Sequence, residues 1–316
     1  MNPLSAIFGA CVAVRNALYD RGILKARRLE CPVISVGNIS VGGSGKTPFV
    51  IALGRLLKER GIEFDVLSRG YRRRGAGVAI VDPNGSPDQF GDEPLLIARK
   101  LHVPVIVGTS RYEAGLLAER QFASRLHLLD DGFQHRGLHR DFDIVMLPAS
   151  DMEDRLLPGG RLREPRSALR RADALVVTGQ LAVQKNVAAP KNVVWRARRQ
   201  MSIAGIEGKA IAFCGIARPE QFFSGLSDLG VAIADKVSFP DHHRYTEEDT
   251  ARLLELKTRA GAKILITTEK DLINLGSLAG SLEPLQAAEV VLSLEDPTFA
   301  LSTLFSTLER RSGCRF

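Results

Sequence analysis

The sequence is poor in the features that would staple a chain, anchor it in a bilayer or stack it on bases. Its four cysteines, Cys11, Cys31, Cys214 and Cys314, lie far apart and form no C-x-x-C pair. That argues against a zinc site or a disulfide framework and fits a reducing compartment. Aromatic residues make up 6% of the chain, few for base stacking, and no recognised nucleic-acid motif is present. No apolar run reaches the ~20 residues needed to cross a bilayer. The nearest, Pro3 to Val14, has no cation before it and so makes a poor secretory signal, and Phe8-Gly9-Ala10-Cys11 makes a poor lipoprotein cleavage site for the same reason. Arg15, Arg21, Lys25, Arg27 and Arg28 follow it. An apolar segment backed by cations lies either in a membrane interface or on the protein body as a terminal helix, and both readings stand.

What is present is a basic, globular composition. The 316 residues are 45% hydrophobic and 25% charged, with a net charge of +7. The length allows two domains, each with its own core, and the charge points to an acidic partner: nucleic acid, anionic lipid or a phosphorylated substrate.

Short apolar runs alternate with helical patterns, as in a parallel α/β sheet. Strands are expected at 33–36, 64–68, 103–107, 126–129, 142–147 and 174–178. Helices are expected at 46–60, 93–101 and 111–122. The polar, basic stretch 180–202 reads as a connection between a nucleotide-binding domain, 1–185, and a smaller α/β domain, 186–316. Within the latter, strands are expected at 210–214, 231–237, 263–268 and 290–294, and helices at 219–229, 246–260 and 297–311. Thr246 and Asp249 have the spacing of a capping box.

The stretch most informative for function is "VGNISVGGSGKT", Val36 to Thr47. It follows the phosphate-loop pattern G-x-x-x-x-G-K-[ST] except that Ser40 replaces the first glycine. Such a loop works through its backbone: successive N–H groups from Ser40, Val41, Gly42, Gly43, Ser44 and Gly45 converge on an anion at the start of a helix. Lys46 adds a cation, and the Thr47 hydroxyl ligates magnesium. A neighbouring strand should end in a carboxylate that helps organise the metal, and "LHLLDD" supplies Asp130 and Asp131. With neither DxxG at that strand nor N-K-x-D anywhere, adenine is the expected base.

Seven segments occur in order: "SVGGSGKTP", "SRGY", "GDEP", "DDGFQH", "LPGGRLREP", "FPDHHRYT" and "TTEKD". Together they resemble the tetraacyldisaccharide 4'-kinase family, which phosphorylates a lipid A precursor in Gram-negative bacteria. The resemblance covers nearly the whole chain, and Ser40 departs from the general loop pattern but not from the family's. It implies ATP and Mg2+ as cofactors and a cleft between two α/β lobes as the active site. It implies transfer of the γ-phosphate to the 4'-hydroxyl of an acylated glucosamine disaccharide 1-phosphate. It also implies peripheral attachment to the cytoplasmic face of the inner membrane through the N-terminal segment, with no nucleic-acid partner and no obligate protein partner.

The resemblance assigns the general base to Asp92 of "GDEP", with His242 of "DHH" orienting it. Read alone, Asp92 fits a helix cap better, and His243 competes with His242. Because the two lie in different expected domains, their pairing would require the cleft to close. Asp130, Asp131 and Gln134 are expected to arrange magnesium, its waters and the phosphates, although Gln134 also fits a structural role. Arginine's planar fork suits phosphate, and Arg111 and Arg163 are the expected contacts to transferring or substrate phosphate. Other arginines of 69–74 and 155–171 fit either a solvated basic face or attraction to lipid. Tyr71 fits a substrate border or plain packing, and His135 and His139 are expected on the surface. The rival functions are a phosphate-loop ligase acting on a carboxylate and an ATP-using nucleic-acid binder.

Overall fold

The computed structural model describes residues 3–178, 192–314 and 316. Among these the strands are β1 (Val33–Asn38), β2 (Phe64–Ser68), β3 (Ala79–Ile80), β4 (Val105–Val107), β5 (Leu126–Asp130), β6 (Phe142–Leu147), β7 (Ala174–Thr178), β8 (Val193–Ser202), β9 (Lys209–Cys214), β10 (Ala232–Ser238), β11 (Ile264–Thr268) and β12 (Leu285–Leu294). The helices are α1 (Pro3–Asp20), α2 (Lys46–Glu59), α3 (Pro87–Phe90), α4 (Asp92–Leu101), α5 (Arg111–Gln121), α6 (Pro219–Asp228), α7 (Glu247–Arg259), α8 (Glu269–Leu275) and α9 (Pro297–Ser312). The strands join in one sheet of order β10-β9-β11-β12-β8-β7-β6-β1-β5-β2-β4-β3. Its pairings are parallel except β8 with β12 and β3 with β4.

Strands β1, β2, β5 and β6 are buried along their whole length. That is what near-continuous apolar runs produce when helices cover both faces of a parallel sheet. Strand β1 lies between β5 and β6, so the chain winds outward from it in both directions. The crevice beyond its carboxyl end is where such a sheet takes its ligand, and the loop 39–45 begins there.

Three departures of the strands from the sequence reading stand out. Val193–Ser202, expected as connection, is strand β8, parallel to β7 and antiparallel to β12; residues 179–191 lie outside the described residues. Its alternation is real but disguised: Trp195 and Ala197 are buried while Arg196 and Arg198 face outward. Strand β12 also starts five residues before the expected 290, and the two-residue β3 went unseen.

The main hydrophobic cluster runs from Ile34, Val50 and Leu128 across Trp195 and Leu292 to Ala300, Leu301 and Leu304 of α9. The C-terminal helix thus returns to the sheet's first half, where Arg311 pairs with Asp173 at 2.8 Å.

The N-terminal segment forms helix α1, docked on the protein body as one of the two readings expected. One face is docked: Ser5 donates to the Leu156 carbonyl at 3.0 Å and Asn16 to Glu164 at 2.9 Å. The other leaves Leu4, Ile7 and Val14 about 60% exposed. Among the described residues no helix is long and apolar enough to cross a membrane. Of the following cations, Arg15, Arg27 and Arg28 are tied to Glu164, Glu113 and Asp141.

All four cysteines are free thiols. Cys31, Glu119 and His127 come together, yet their atoms are engaged with neighbours. The Cys31 thiol donates to the Ser124 carbonyl, and His127 is held between Asp65 and Glu119. The group is a hydrogen-bonded strut between β2, β5 and α5.

Candidate active site

The loop leaving β1 is shaped by glycine where no other residue fits. Gly45 caps α2 with φ of 83°, and Gly42, at φ 71°, would bring a Cβ within 2.9 Å of the Ala217 side chain. The first-turn amides of α2 have no helical carbonyl to bond, and their positive end faces the crevice. Lys46 extends from this turn to Asn38 Oδ1 at 3.2 Å and to Asp131 at 3.3 Å.

Ser40 has a partner that no glycine could hold. Its hydroxyl donates to Oδ2 of Asp151 at 2.6 Å, with both residues buried. Around it, the Val41 amide donates to the Arg161 carbonyl at 2.8 Å, and the Arg161 guanidinium returns to the carbonyls of Val41 and Gly42, each at 2.9 Å. The segment 161–163 therefore braces the loop entrance and carries Arg163 to Asp131 at 3.0 Å. Gln134 donates to the Asn38 carbonyl at 2.8 Å, behind the same loop.

The two carboxylates ending β5 differ sharply. Burial, with the nearby charges of Glu93 and Asp131, pushes the Asp130 carboxyl up to about 7. It accepts one bond from Ser68 at 3.2 Å, and its Oδ1 is buried without a partner among the described residues. Asp131 is only half-buried, its side chain 31% exposed, and Lys46 and Arg163 outweigh that partial burial and hold its carboxyl at about 2. Asp131 also sits at φ 50°, a left-handed conformation that costs energy and is tolerated best by Asp, Asn and His. Arg111, at the start of α5, is 6% exposed, and its Nε lacks a partner among the described residues. Burial and the neighbouring Arg69 lower its guanidinium pKa. Buried Arg111 thus lies within the field of a second, exposed cation, Arg69, and an anion beside them would relieve the repulsion.

Asp92 is the first residue of α4; Gly91 occupies the cap. Its Oδ1 accepts from the Glu93 amide at 2.9 Å, and its Oδ2 accepts from His242 Nδ1 at 2.8 Å and Asn274 at 3.2 Å. Burial opposes its charge, but the His242 bond, the Lys270 charge and the Asn274 bond outweigh it and hold the carboxyl well below the usual range. The pair expected to meet on cleft closure is in contact in this structure. His242 is placed at φ 57° with its amide on the Gly215 carbonyl at 3.0 Å. Gly215 is fixed in turn by buried Asp271, which also accepts from Tyr245. His243 turns away to Asp249 at 2.9 Å. Tyr71 packs edge-on to His242, ring centroids 5.2 Å apart, and Arg72 donates to the Asp241 carbonyl at 2.8 Å.

Some of this escaped the sequence reading. Asn38, Arg161, Asp151, Lys270 and Asn274 all touch expected site residues; Asn38, Arg161 and Lys270 lie within the quoted segments and Asn274 just past one, while nothing in the sequence singled out Asp151. His135, expected on the surface, is half-buried; burial and the charges of Arg111, Arg140 and Arg69 push it down to about 4.

The geometry combines a helix-start anion cradle, a buried carboxylate with an open oxygen, and a carboxylate–imidazole pair. Comparison with known proteins gives it a lineage. The profile described as tetraacyldisaccharide-1-P 4'-kinase matches residues 1–308. The tetraacyldisaccharide 4'-kinase of Koribacter versatilis is 49% identical over 99% of this chain and 100% of its own. That of Aquifex aeolicus is 42% identical over 86% of this chain and 88% of its own. A crystal structure of LpxK from Aquifex aeolicus in complex with ATP superposes with a TM-score of 0.79, at 37% identity, covering 96% of this chain and 97% of that one. The chain belongs to the tetraacyldisaccharide 4'-kinase family.

Proposed function

We infer that the protein is an ATP-dependent kinase of lipid A biosynthesis. It moves the γ-phosphate of ATP to the 4'-hydroxyl of a tetraacyldisaccharide 1-phosphate. The observation that carries the chemistry is the Asp92–His242 contact of 2.8 Å in a chain that also holds a phosphate loop. A sugar hydroxyl attacks poorly until its proton has an acceptor. Asp92, kept ionised at the start of α4, is the proposed base, and His242 holds its carboxylate in one orientation.

The loop Ser40–Thr47 is proposed to bind the nucleotide's phosphates through its amides, except that of Val41, expected among them but held by the Arg161 carbonyl at 2.8 Å, with Lys46 drawing on their charge. Arg163, seated on Asp131, and Arg111, paired in position with Arg69, are proposed to contact transferring or substrate phosphate. Gln134 would hold the end of β1 beneath them. Oxygen donors from Thr47, Asp130 and Asp131 suit Mg2+, and the open Oδ1 of Asp130 fits a hard cation best. Magnesium, when bound, would offset phosphate charge during transfer. A cation there would also relieve the cost of burying Asp130 ionised.

The exposed Leu4, Ile7 and Val14 face of α1 supports peripheral attachment to the inner membrane's cytoplasmic face. The deciding experiment incubates the protein with γ-labelled ATP, magnesium and the tetraacyl disaccharide 1-phosphate in detergent. Label on the lipid is expected; ATP consumption that ignores the lipid would return the ligase reading.

A further inference from the structure

Lys270 stands directly behind the dyad. Its Nζ lies 3.2 Å from His242 Nε2, 3.2 Å from Glu93 Oε1 and 3.7 Å from Asp92 Oδ2, and its side chain is 18% exposed. Asn274, one turn further along α8, reaches the same Asp92 oxygen, as residues spaced i and i+4 on one helix face can. An ammonium has three hydrogens and no lone pair, so in its contact with His242 the ring Nε2 must accept. The single ring proton then sits on Nδ1, pointing at Asp92. The hydrogen-bond network fixes this tautomer.

We infer that Lys270 is a positioning residue for phosphoryl transfer, locking His242 as the neutral Nδ1–H tautomer so that Asp92 faces a neutral donor and never an imidazolium. The inference deepens the reading of Asp92 as base and rests on it. A carboxylate bonded to an imidazolium is held by a charge-assisted bond and gives up less of its lone pair to an incoming proton.

The surroundings make such a lock necessary. Two carboxylates touch the ring, Asp92 from α4 and Asp241, whose Oδ2 is 3.8 Å from Nε2, while Glu93 lies on the far side of the Lys270 ammonium, 3.2 Å from it. Together they would draw a second proton onto Nε2. Tyr71 offers only its ring edge, and Arg72 is spent on the carbonyls of Asp241 and His242. Lys270 is the cation that occupies the position. A proton on Nε2 would set two donors and two like charges face to face. Burial opposes the Lys270 charge, but Glu93, Asp92 and Asp241 outweigh it and raise its pKa, so the lock holds through the working range.

The test is Lys270→Met, which keeps the stem and removes the ammonium. The kcat of this variant should fall about tenfold at about pH 6 and recover toward the parent by about pH 9, through a new acid limb that the parent lacks. Its KM for ATP should stay within about threefold of the parent, since the loop is untouched. Lys270→Arg, which keeps a cation, should keep the parent's profile. In spectra of 15N-histidine-labelled protein, the parent's His242 should carry one proton, on Nδ1, throughout, while the Met variant gains a second at the midpoint of its new limb. A Met variant without that limb, or a parent ring that itself takes a second proton in this range, overturns the inference. Should the Met variant not fold, the parent spectrum and Lys270→Arg still decide. Asp92→Ala separates the levels: if it turns over at the parental rate, the base reading falls and this one with it. If it is inactive while Lys270→Met keeps the parent's profile, only the role of Lys270 falls.

Discussion

The Ser40 hydroxyl and the Asp151 carboxylate meet at 2.6 Å inside the protein. Burial raises the Asp151 carboxyl pKa, against the Ser40 bond and the charges of Arg218 and Arg161. Losing the bond leaves a buried acceptor without a partner, which costs about 1–3 kcal/mol. Ser40→Gly, which restores the general phosphate-loop pattern, is therefore expected to destabilise the protein by that amount and to raise the KM for ATP. Thermal unfolding with ATP titration checks it. The double-mutant cycle of Ser40→Ala with Asp151→Ala should return a coupling of about 1 kcal/mol or more; independent effects would separate the two residues.

How much of this was legible beforehand follows from where each signal resides. The loop, Asp130 and the strands of the first half are local patterns, and β2, β6 and β7 fall at their expected bounds. The capping box of Thr246 and Asp249 was equally local and is present. Strand β8 was hidden because its outward face is arginine, so its period of two read as a basic linker. The partners of the dyad were hidden for another reason. Lys270 and Asn274 lie 178 and 182 residues after Asp92 in sequence, and only the packing of α8 against α4 brings them to it. Asp151 was invisible to any pattern, since a serine in place of a glycine does not name its acceptor.

His242→Ala is expected to lower kcat by about 10²–10³ while changing the KM for ATP little, because orientation of the base is lost and the loop is not. Asp92→Ala should cost at least as much. Steady-state kinetics with saturating acceptor distinguish this from a binding role, for which KM would rise in step.

Lys46→Ala removes a cation from both the crevice and Asp131. A fall in kcat of about 10² or more is expected, with weaker nucleotide binding, as for a charge that contacts phosphate throughout the reaction. Isothermal titration with ATP measures the binding part. Unchanged affinity together with unchanged kcat would remove Lys46 from the site.

His135 gives the protein an acid-side weakness. Its folded pKa, about 4, lies below its ordinary 6.5, so the unfolded chain binds the proton more readily. The stability tied to this group is full above about pH 6.5 and is lost as pH falls through about 4. Solvent reaches the ring and discounts the size of the effect. His135→Gln should flatten the dependence of Tm on pH in that window and leave it unchanged at about pH 8.

Helix α1 presents two substitutions with opposite expectations. Ile7 is 62% exposed and Val12 is 8% exposed on the docked side. Burying an isoleucine in an apolar phase is worth about 1.5–3 kcal/mol, so Ile7→Glu should weaken binding to anionic phospholipid vesicles about tenfold or more. Its Tm should barely move, since surface changes are usually within about 0.5 kcal/mol. Val12→Glu, in contrast, places a charge against the body and should lower the Tm whether or not lipid is present. Co-sedimentation with vesicles and thermal unfolding, run on both variants, read the two effects apart. If Ile7→Glu sediments with vesicles as well as the parent does, the exposed face of α1 is not what holds the protein to a membrane, and the helix serves only to cover the segment around Leu156.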